Sequence, residues 1–524
     1  MIWCGHIVAG RKVPWIYIEF INNWWMQMNK LQKWLIQYWN LILILVLAVI
    51  LLTVKLDKKF MGQHDWNSTW YGNVARNHIR YGLANTKLGS ISAGGPIDFN
   101  SSRLYFTHYP PLFPLLLALG FKLFGPSEVA LRLVVIFFSL WTIVFIYLLA
   151  KLVLNKTVAF LASIFAVVTP LFLYYGKLPV HEPIILPFIL AGIYFYLRWF
   201  KDQKSKNLIL SASFLFLAEL ITWPAYFVPP LLTLHYWLFH PQKKHLKLLL
   251  LLPLIMIGVF MLHLMHVKLL TGSFLGGGLV QIFLTRIQSK QTNEIYRLTF
   301  FKYLTTEIQY LKIYFTNILL VLDLGWVIHL IIRYQKRQIA LSESLQMLLL
   351  IFGSAYVVIF QEAAFLHDYL IYYLLPFIVI AAAQISEQIL RRLTKNWRLL
   401  VAALLVLLVA TERLKYAKAI LNSNNSEKGY KIGEFINRQT SFNDLVLVGS
   451  NFYGDFYASF IAYYGDRSVG YSEDLKLTDL DKFQWVVRPK AHDALSEKSK
   501  AILDKKFPRY ENAEFVWYDL RKKT

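Results

Sequence analysis

Long apolar runs joined by short charged connections dominate the chain. They predict helices near residues 36–54, 128–150, 157–175, 183–198, 208–222, 226–239, 248–266, 313–332, 345–361, 369–389 and 398–412. A straight membrane span takes about 20 apolar residues, and several of these runs approach that length. The connections alternate in charge. Lys151/Lys156, Arg198/Lys201/Lys204/Lys206, Lys243/Lys244/Lys247, Arg333/Lys336/Arg337 and Arg391/Arg392/Lys395/Arg398 mark one face as cytoplasmic. The intervening connections, around Lys177, Trp223-Pro224 and 362–368, are nearly free of Lys and Arg. The alternation holds if PLFPLLLALGFKLF (111–124), which opens on prolines, is a re-entrant or juxtamembrane helix. The pattern then predicts eleven spans, with the N-terminus inside and the C-terminus outside.

From about residue 415 the pattern changes. DLVLVGS (444–450), QWVVRP (484–489) and EFVWYDL (514–520) read as short buried strands, and EKGYKIGEFINRQT (427–440) beside them reads as a helix. The expected organisation is an interfacial N-terminal segment 1–35, a helical membrane domain 36–414 carrying an external loop 55–127, and an extracytoplasmic α/β domain 415–524. Composition agrees: 56% of the 524 residues are apolar and only 16% are charged, against roughly 25% charged in a soluble domain. The net charge of +24 sits at the ends of apolar runs, which fits lipid headgroups and gives no reason to expect nucleic acid. A single cysteine, Cys4, excludes a disulfide framework.

The loop 55–127 is long for a connection and dense in His, Asp, Asn, Arg and aromatic residues, which argues against disorder. About half of the 31 acidic residues fall in the tail, so those of the membrane part can be sorted individually. Most lie on the predicted external side. Glu219 and Asp323 fall within apolar runs, where an ionisable group is a functional candidate. Three acids follow a histidine at predicted helix ends: His64-Asp65, before a helical run 68–81 that Asn67 or Ser68 would cap and Gly82 would end; His181-Glu182; and His367-Asp368. A carboxylate held there can serve as general base on a hydroxyl or amine. A phosphate leaving group at headgroup level would need cations and donors, and Arg76, Arg132, Arg286 and His108 are external candidates. Tyr71 and Tyr109 can stack on a sugar face.

HDWNSTWYGNVARN, followed by THYPPLFPLLLALGFKLFG and SEVALRL, resembles the GT-C membrane glycosyltransferases, within them the protein O-mannosyltransferase and aminoarabinose-transferase group. The resemblance spans roughly residues 55–230 and returns at HDYLIYYLLP. It implies a polyprenyl-phosphate-linked sugar donor, inverting transfer and an external site. Together with the residues sorted above, the expected catalytic acids are Asp65 and Glu182; Arg76, Arg132 and Arg286 are expected at the donor phosphate; and His64, Asn67, Tyr71, His108, Tyr109, His181, Glu219, His367 and Asp368 around the substrates. In that group two adjacent acids stand four and three residues before the motif tyrosine. Here Asn67 and Ser68 hold those positions, and Asp65 lies two residues upstream. Either a shifted loop returns Asp65 to the catalytic place, or the base is elsewhere, with Glu182 next. Asp65 and Glu182 are expected to face one pocket, with Arg76 and the 276–278 glycines on its rim. No cofactor or metal is expected, although Asp65, His181, Glu182, His367 and Asp368 could hold a divalent cation if they converged. The acceptor, whether protein, glycolipid or polymer, is left open. Competing classes are a transporter or flippase of lipid-linked sugars and a membrane scaffold.

Overall fold

The computed structural model describes residues 32, 37–101, 104–240, 245–277, 279–287, 299–449, 456–471, 480–493 and 495–522. Every apolar run named above becomes helical. Among the described residues, six helices are long and apolar enough to cross a membrane: Glu128–Val153, His181–Asp202, Leu251–Thr271, Phe300–Gln335, Leu341–Ile359 and Asp368–Leu390. Gln37–Leu52, Leu112–Phe124 and Lys156–Val168 are shorter, so the count of eleven spans is not reproduced by length alone. At 1.5 Å per residue, the 13 residues of Leu112–Phe124 reach about 20 Å, too little to cross. The run 157–175 divides where Thr169 caps a new turn that starts at Pro170, its hydroxyl accepting from Phe172 N–H.

Burial ranks the spans. In the most apolar 18 residues of Asp368–Leu390, at the centre of the bundle, 94% are buried, whereas in those of Leu251–Thr271, which turns several leucines outward, 22% are. Asp368–Leu390 enters as a 3-10 turn through Leu374 before becoming α-helical. Phe300–Gln335 is broken at Thr316, whose φ of 69° is uncommon for a β-branched residue. The break frees backbone N–H groups, and Glu412 at the end of another helix caps them, accepting from Asn317 N–H at 2.8 Å and Ile318 N–H at 3.1 Å.

The tail folds around a five-stranded sheet, order β2-β1-β3-β5-β4, with β1 Leu445–Val448, β2 Ser468–Tyr471, β3 Trp485–Pro489, β4 Arg509–Glu511 and β5 Phe515–Asp519. β1 runs parallel to β2 and β3, while β5 is antiparallel to β3 and β4. Side chains alternate across β1. Val446 and Val448 join Ile432, Ile436 and Ile461 on one face, and Leu447 joins Leu503 and Tyr518 on the other. The predicted strands are β1, β3 and β5. β2 and β4 were not apparent in the sequence, being short and only partly buried or exposed.

The tail rests on the first loop. Ser426 N–H donates to Met61 carbonyl at 2.9 Å, Thr69 Oγ1 to Ser459 Oγ at 3.0 Å, and Arg80 pairs with Asp466 at 2.5 Å. Gly95, at φ 70°, lets the loop lie on β2, because a Cβ there would come 2.3 Å from Ser468 N. The loop and the tail therefore share one side of the bundle.

Candidate active site

The helix Asp65–Thr86 organises the site. It begins three residues before the predicted run, and His64, at φ 58°, holds the N-cap place expected of Asn67 or Ser68. Its predicted terminator, Gly82, is the internal break, at φ 80°. Asp65 sits in the first turn, where its charge favours the helix dipole. Its Oδ2 accepts from Met61 N–H at 2.9 Å and Gly62 N–H at 2.6 Å, and Ser68 Oγ donates to Oδ1 at 3.2 Å. Burial nonetheless raises its pKa, against the pull of Arg132.

On one side of this helix lies a cavity of about 830 Å³, within the range of sites that take small molecules. Trp66, Asn67, Trp70 and Tyr71 form its helical wall; Tyr109, His181, Glu182 and Thr222 its floor; Tyr356, His367 and Tyr369 the far wall; and Ser459, Arg467, Ser468 and Tyr471 of the tail its roof. Aromatic contacts fix His181: its ring lies 4.3 Å from Phe113, 4.4 Å from Tyr109 and 4.9 Å from Tyr71. Glu182 opens the next span, and Tyr373 OH donates to its Oε1 at 3.4 Å. Thr107, two residues before Tyr109, donates to Gly276 carbonyl at 3.1 Å. The Gly276–Gly277 turn thus reaches the edge of the site; Gly278 lies outside the described residues.

Six expected residues meet here: Asn67, Tyr71, Tyr109, His181, Glu182 and His367. Of the others whose side chains are described, none does, and the single pocket shared by Asp65 and Glu182 is corrected. Asp65 lines a separate cleft with Lys55, Lys58, Arg132 and Lys177, because the turn 61–65 holds its carboxylate on the other side of the helix from Asn67. Arg76 points to the tail instead of the cavity. It pairs with Asp466 at 3.4 Å, donates to Tyr463 carbonyl at 2.9 Å and stacks on the Tyr463 ring. Arg132 is buried and donates to the Leu56 and Lys58 carbonyls, so it ties the loop to the bundle. The Arg286 side chain lies outside the described residues. Glu219 is buried at the end of its helix and His108 lies behind Tyr109 against Trp223; neither lines the cavity.

Asp368 and His64 converge on each other. His64 Nε2 lies 2.9 Å from Asp368 Oδ1, which also accepts from Tyr175 OH, while Oδ2 accepts from Gln63 Nε2 at 2.6 Å and Tyr314 OH at 2.5 Å. This buried hub joins the first loop, the second external connection, the broken helix and the central span. Gln63, Tyr175 and Tyr314 were not singled out in the sequence, since a tyrosine ending an apolar run looks like any interfacial aromatic. Among the described residues, no three His, Cys, Asp or Glu side chains gather as a metal site would require.

The family model described as dolichyl-phosphate-mannose-protein mannosyltransferase matches residues 108–267. The chain is similar to the solved structure of ArnT from Cupriavidus metallidurans bound to undecaprenyl phosphate, with TM-score 0.61 and 13% identity over 91% of this chain and 97% of that one. It is also similar to the oligosaccharyltransferase AglB from Archaeoglobus fulgidus in complex with an inhibitory peptide and a dolichol-phosphate, with TM-score 0.59 and 13% identity over 93% of this chain and 74% of that one. No curated protein matches the sequence. The cavity at the motif helix, the matched segment beginning at His108 and the likeness along the chain converge on one conclusion: this is an integral membrane protein with the GT-C fold, similar to the protein mannosyltransferase and aminoarabinose-transferase group.

Proposed function

We propose that the chain is a glycosyltransferase that moves a sugar from a polyprenyl-phosphate donor to an extracytoplasmic acceptor, with inversion, inside the 830 Å³ cavity. The observation that carries this reading is the position of that cavity. It lies at the motif helix of a GT-C fold and is lined by aromatic rings able to stack on a sugar, with a carboxylate, Glu182, among them. Undecaprenyl phosphate and dolichol-phosphate in the two similar structures support the donor class, and the charge alternation of the connections supports the external face.

In this reading Glu182 is the base. It takes the proton from an acceptor hydroxyl or amine as that atom attacks the anomeric carbon. The bond from that carbon to the phosphate oxygen breaks, and its electron pair leaves on the phosphate. Asp65, bonded to its own turn and facing the other way, maintains the helix start. Arg286 is the proposed phosphate contact. Its helix, Leu279–Ile287, packs beside Gln361–Leu366, next to the cavity residues Ala363 and His367.

Right-side-out membrane vesicles loaded with a radiolabelled polyprenyl-phosphate sugar, with acceptor added outside, test this directly. Transfer is expected for the parent chain, and Glu182→Gln should lower it roughly 10²–10⁴-fold at unchanged protein level. Full activity in Glu182→Gln would remove the base assignment. Transfer confined to inverted vesicles would remove the external site.

A further inference from the structure

The cleft behind the motif helix is a different kind of place. Lys55, Lys58, Arg132 and Lys177 line it, and Asp65 is the one carboxylate among its lining residues. Asp65 is already engaged by two backbone N–H groups and a hydroxyl. The cations reach neutral acceptors: Lys58 the Leu421 carbonyl at 3.0 Å, Arg132 the Leu56 carbonyl at 2.7 Å, Lys177 the Val54 carbonyl and Lys55 the Asn422 amide oxygen. Carbonyl dipoles orient a cation without cancelling its charge. Arg132 and Lys177 are each only 5% exposed, and buried charges persist where something of opposite sign accompanies them. Burial, and then the neighbouring Arg132, push the Lys177 amine down to about 8; burial lowers Lys58 as well. The cleft is thus built for more negative charge than Asp65 alone supplies.

Size and place narrow the ligand. The inner space is about 20 Å³, little above the roughly 10–15 Å³ one water needs, which excludes a sugar and admits an oxygen of an anion seated at the mouth. Lys55 follows the end of Gln37–Leu52, Arg132 lies in the first two turns of Glu128–Val153, and Lys177 lies just before His181–Asp202, so three helix ends meet at the membrane boundary. Leu178 and Leu421 line the wall beside the cations, as an acyl-bearing ligand would require.

We infer that this cleft binds the phosphate of an anionic membrane phospholipid, at a site separate from the reaction cavity. The inference does not rest on the proposed glycosyl transfer, and its readout is not activity. Full-length protein in neutral detergent is titrated with phosphatidylglycerol, phosphatidylcholine or inorganic phosphate, and both melting temperature and retained lipid by native mass spectrometry are followed. Phosphatidylglycerol should bind saturably at one copy per chain and raise the melting temperature, and phosphatidylcholine should do neither. Lys58→Gln combined with Lys177→Gln should weaken phosphatidylglycerol binding at least tenfold, while Lys201→Gln combined with Lys204→Gln, at the far ends of the bundle, should leave it intact. If the cleft double variant fails to fold, the exposed Lys55→Glu at the mouth should weaken binding severalfold in a folded protein. Equal binding of both lipids, or parental affinity in the folded cleft variants, would overturn the inference. An equal response to inorganic phosphate would overturn its lipid assignment.

Discussion

The two faces of the helix Asp65–Thr86 make opposite environments from neighbouring residues. Asn67 and Tyr71 look into a wide chamber of rings, histidines and Glu182, whereas Asp65, two positions before Asn67, looks into a narrow cleft crowded with cations. At 100° per residue, a shift of two positions carries a side chain more than halfway around a helix, so adjacency in sequence says little about adjacency in a site. The chamber has room for a sugar and a group to accept a proton. The cleft has charge and almost no room.

The largest expected effect separates the two faces by their acids. Asp65→Asn removes the charge to which two backbone N–H groups and the Ser68 hydroxyl donate at the helix start, and hydrogen bonds to a charged group are worth about 1.5–3 kcal/mol. Thermal unfolding should show a lower melting temperature, while transfer per folded molecule stays within about tenfold of the parent, in contrast to Glu182→Gln. A stable, inactive Asp65→Asn protein would return the catalytic role to Asp65 and erase the distinction.

A smaller effect follows from pH. Lys177, facing Arg132, Asp65, Lys58 and Lys55, holds its proton weakly, at about 8. An anion bound beside it favours the protonated form. Anion binding should therefore be strongest below pH 8 and fall by up to about tenfold per pH unit above it, as read by titration at pH 7, 8 and 9. In the Lys177→Gln protein this slope should flatten.

The smallest effect concerns Arg76. Its partly exposed pair with Asp466 is worth at most about 1 kcal/mol, so Arg76→Ala should lower the melting temperature slightly by loosening the tail. The KM for the lipid-linked donor should stay that of the parent. A raised donor KM would place Arg76 at the phosphate after all.

Much of the architecture was legible because its determinants are local. Apolar runs, cationic connections and the short apolar strands of the tail located the spans and β1, β3 and β5. The site was legible by residue type, since the His181-Glu182 pair, Tyr71, Tyr109 and His367 do meet. What the sequence concealed was orientation. The αL turn at His64 starts the helix three residues early and turns Asp65 away from the chamber, and nothing in HDWNS marks that turn in advance. Arg76 and Arg132 were concealed for a related reason: a tail residue almost 400 positions away, Asp466, and the loop's own carbonyls claim them. The Asp368 hub depends on tyrosines from two distant segments, Tyr175 and Tyr314, each unremarkable alone.

The most direct test of the central claim is a cryo-electron-microscopy structure of the full chain in a lipid nanodisc with a non-hydrolysable polyprenyl-phosphate sugar. The sugar should occupy the chamber, with a Glu182 carboxylate oxygen within reach of the acceptor position and the tail roof overhead. Sugar density elsewhere, or an occupied chamber with Glu182 turned out of it, would contradict the account.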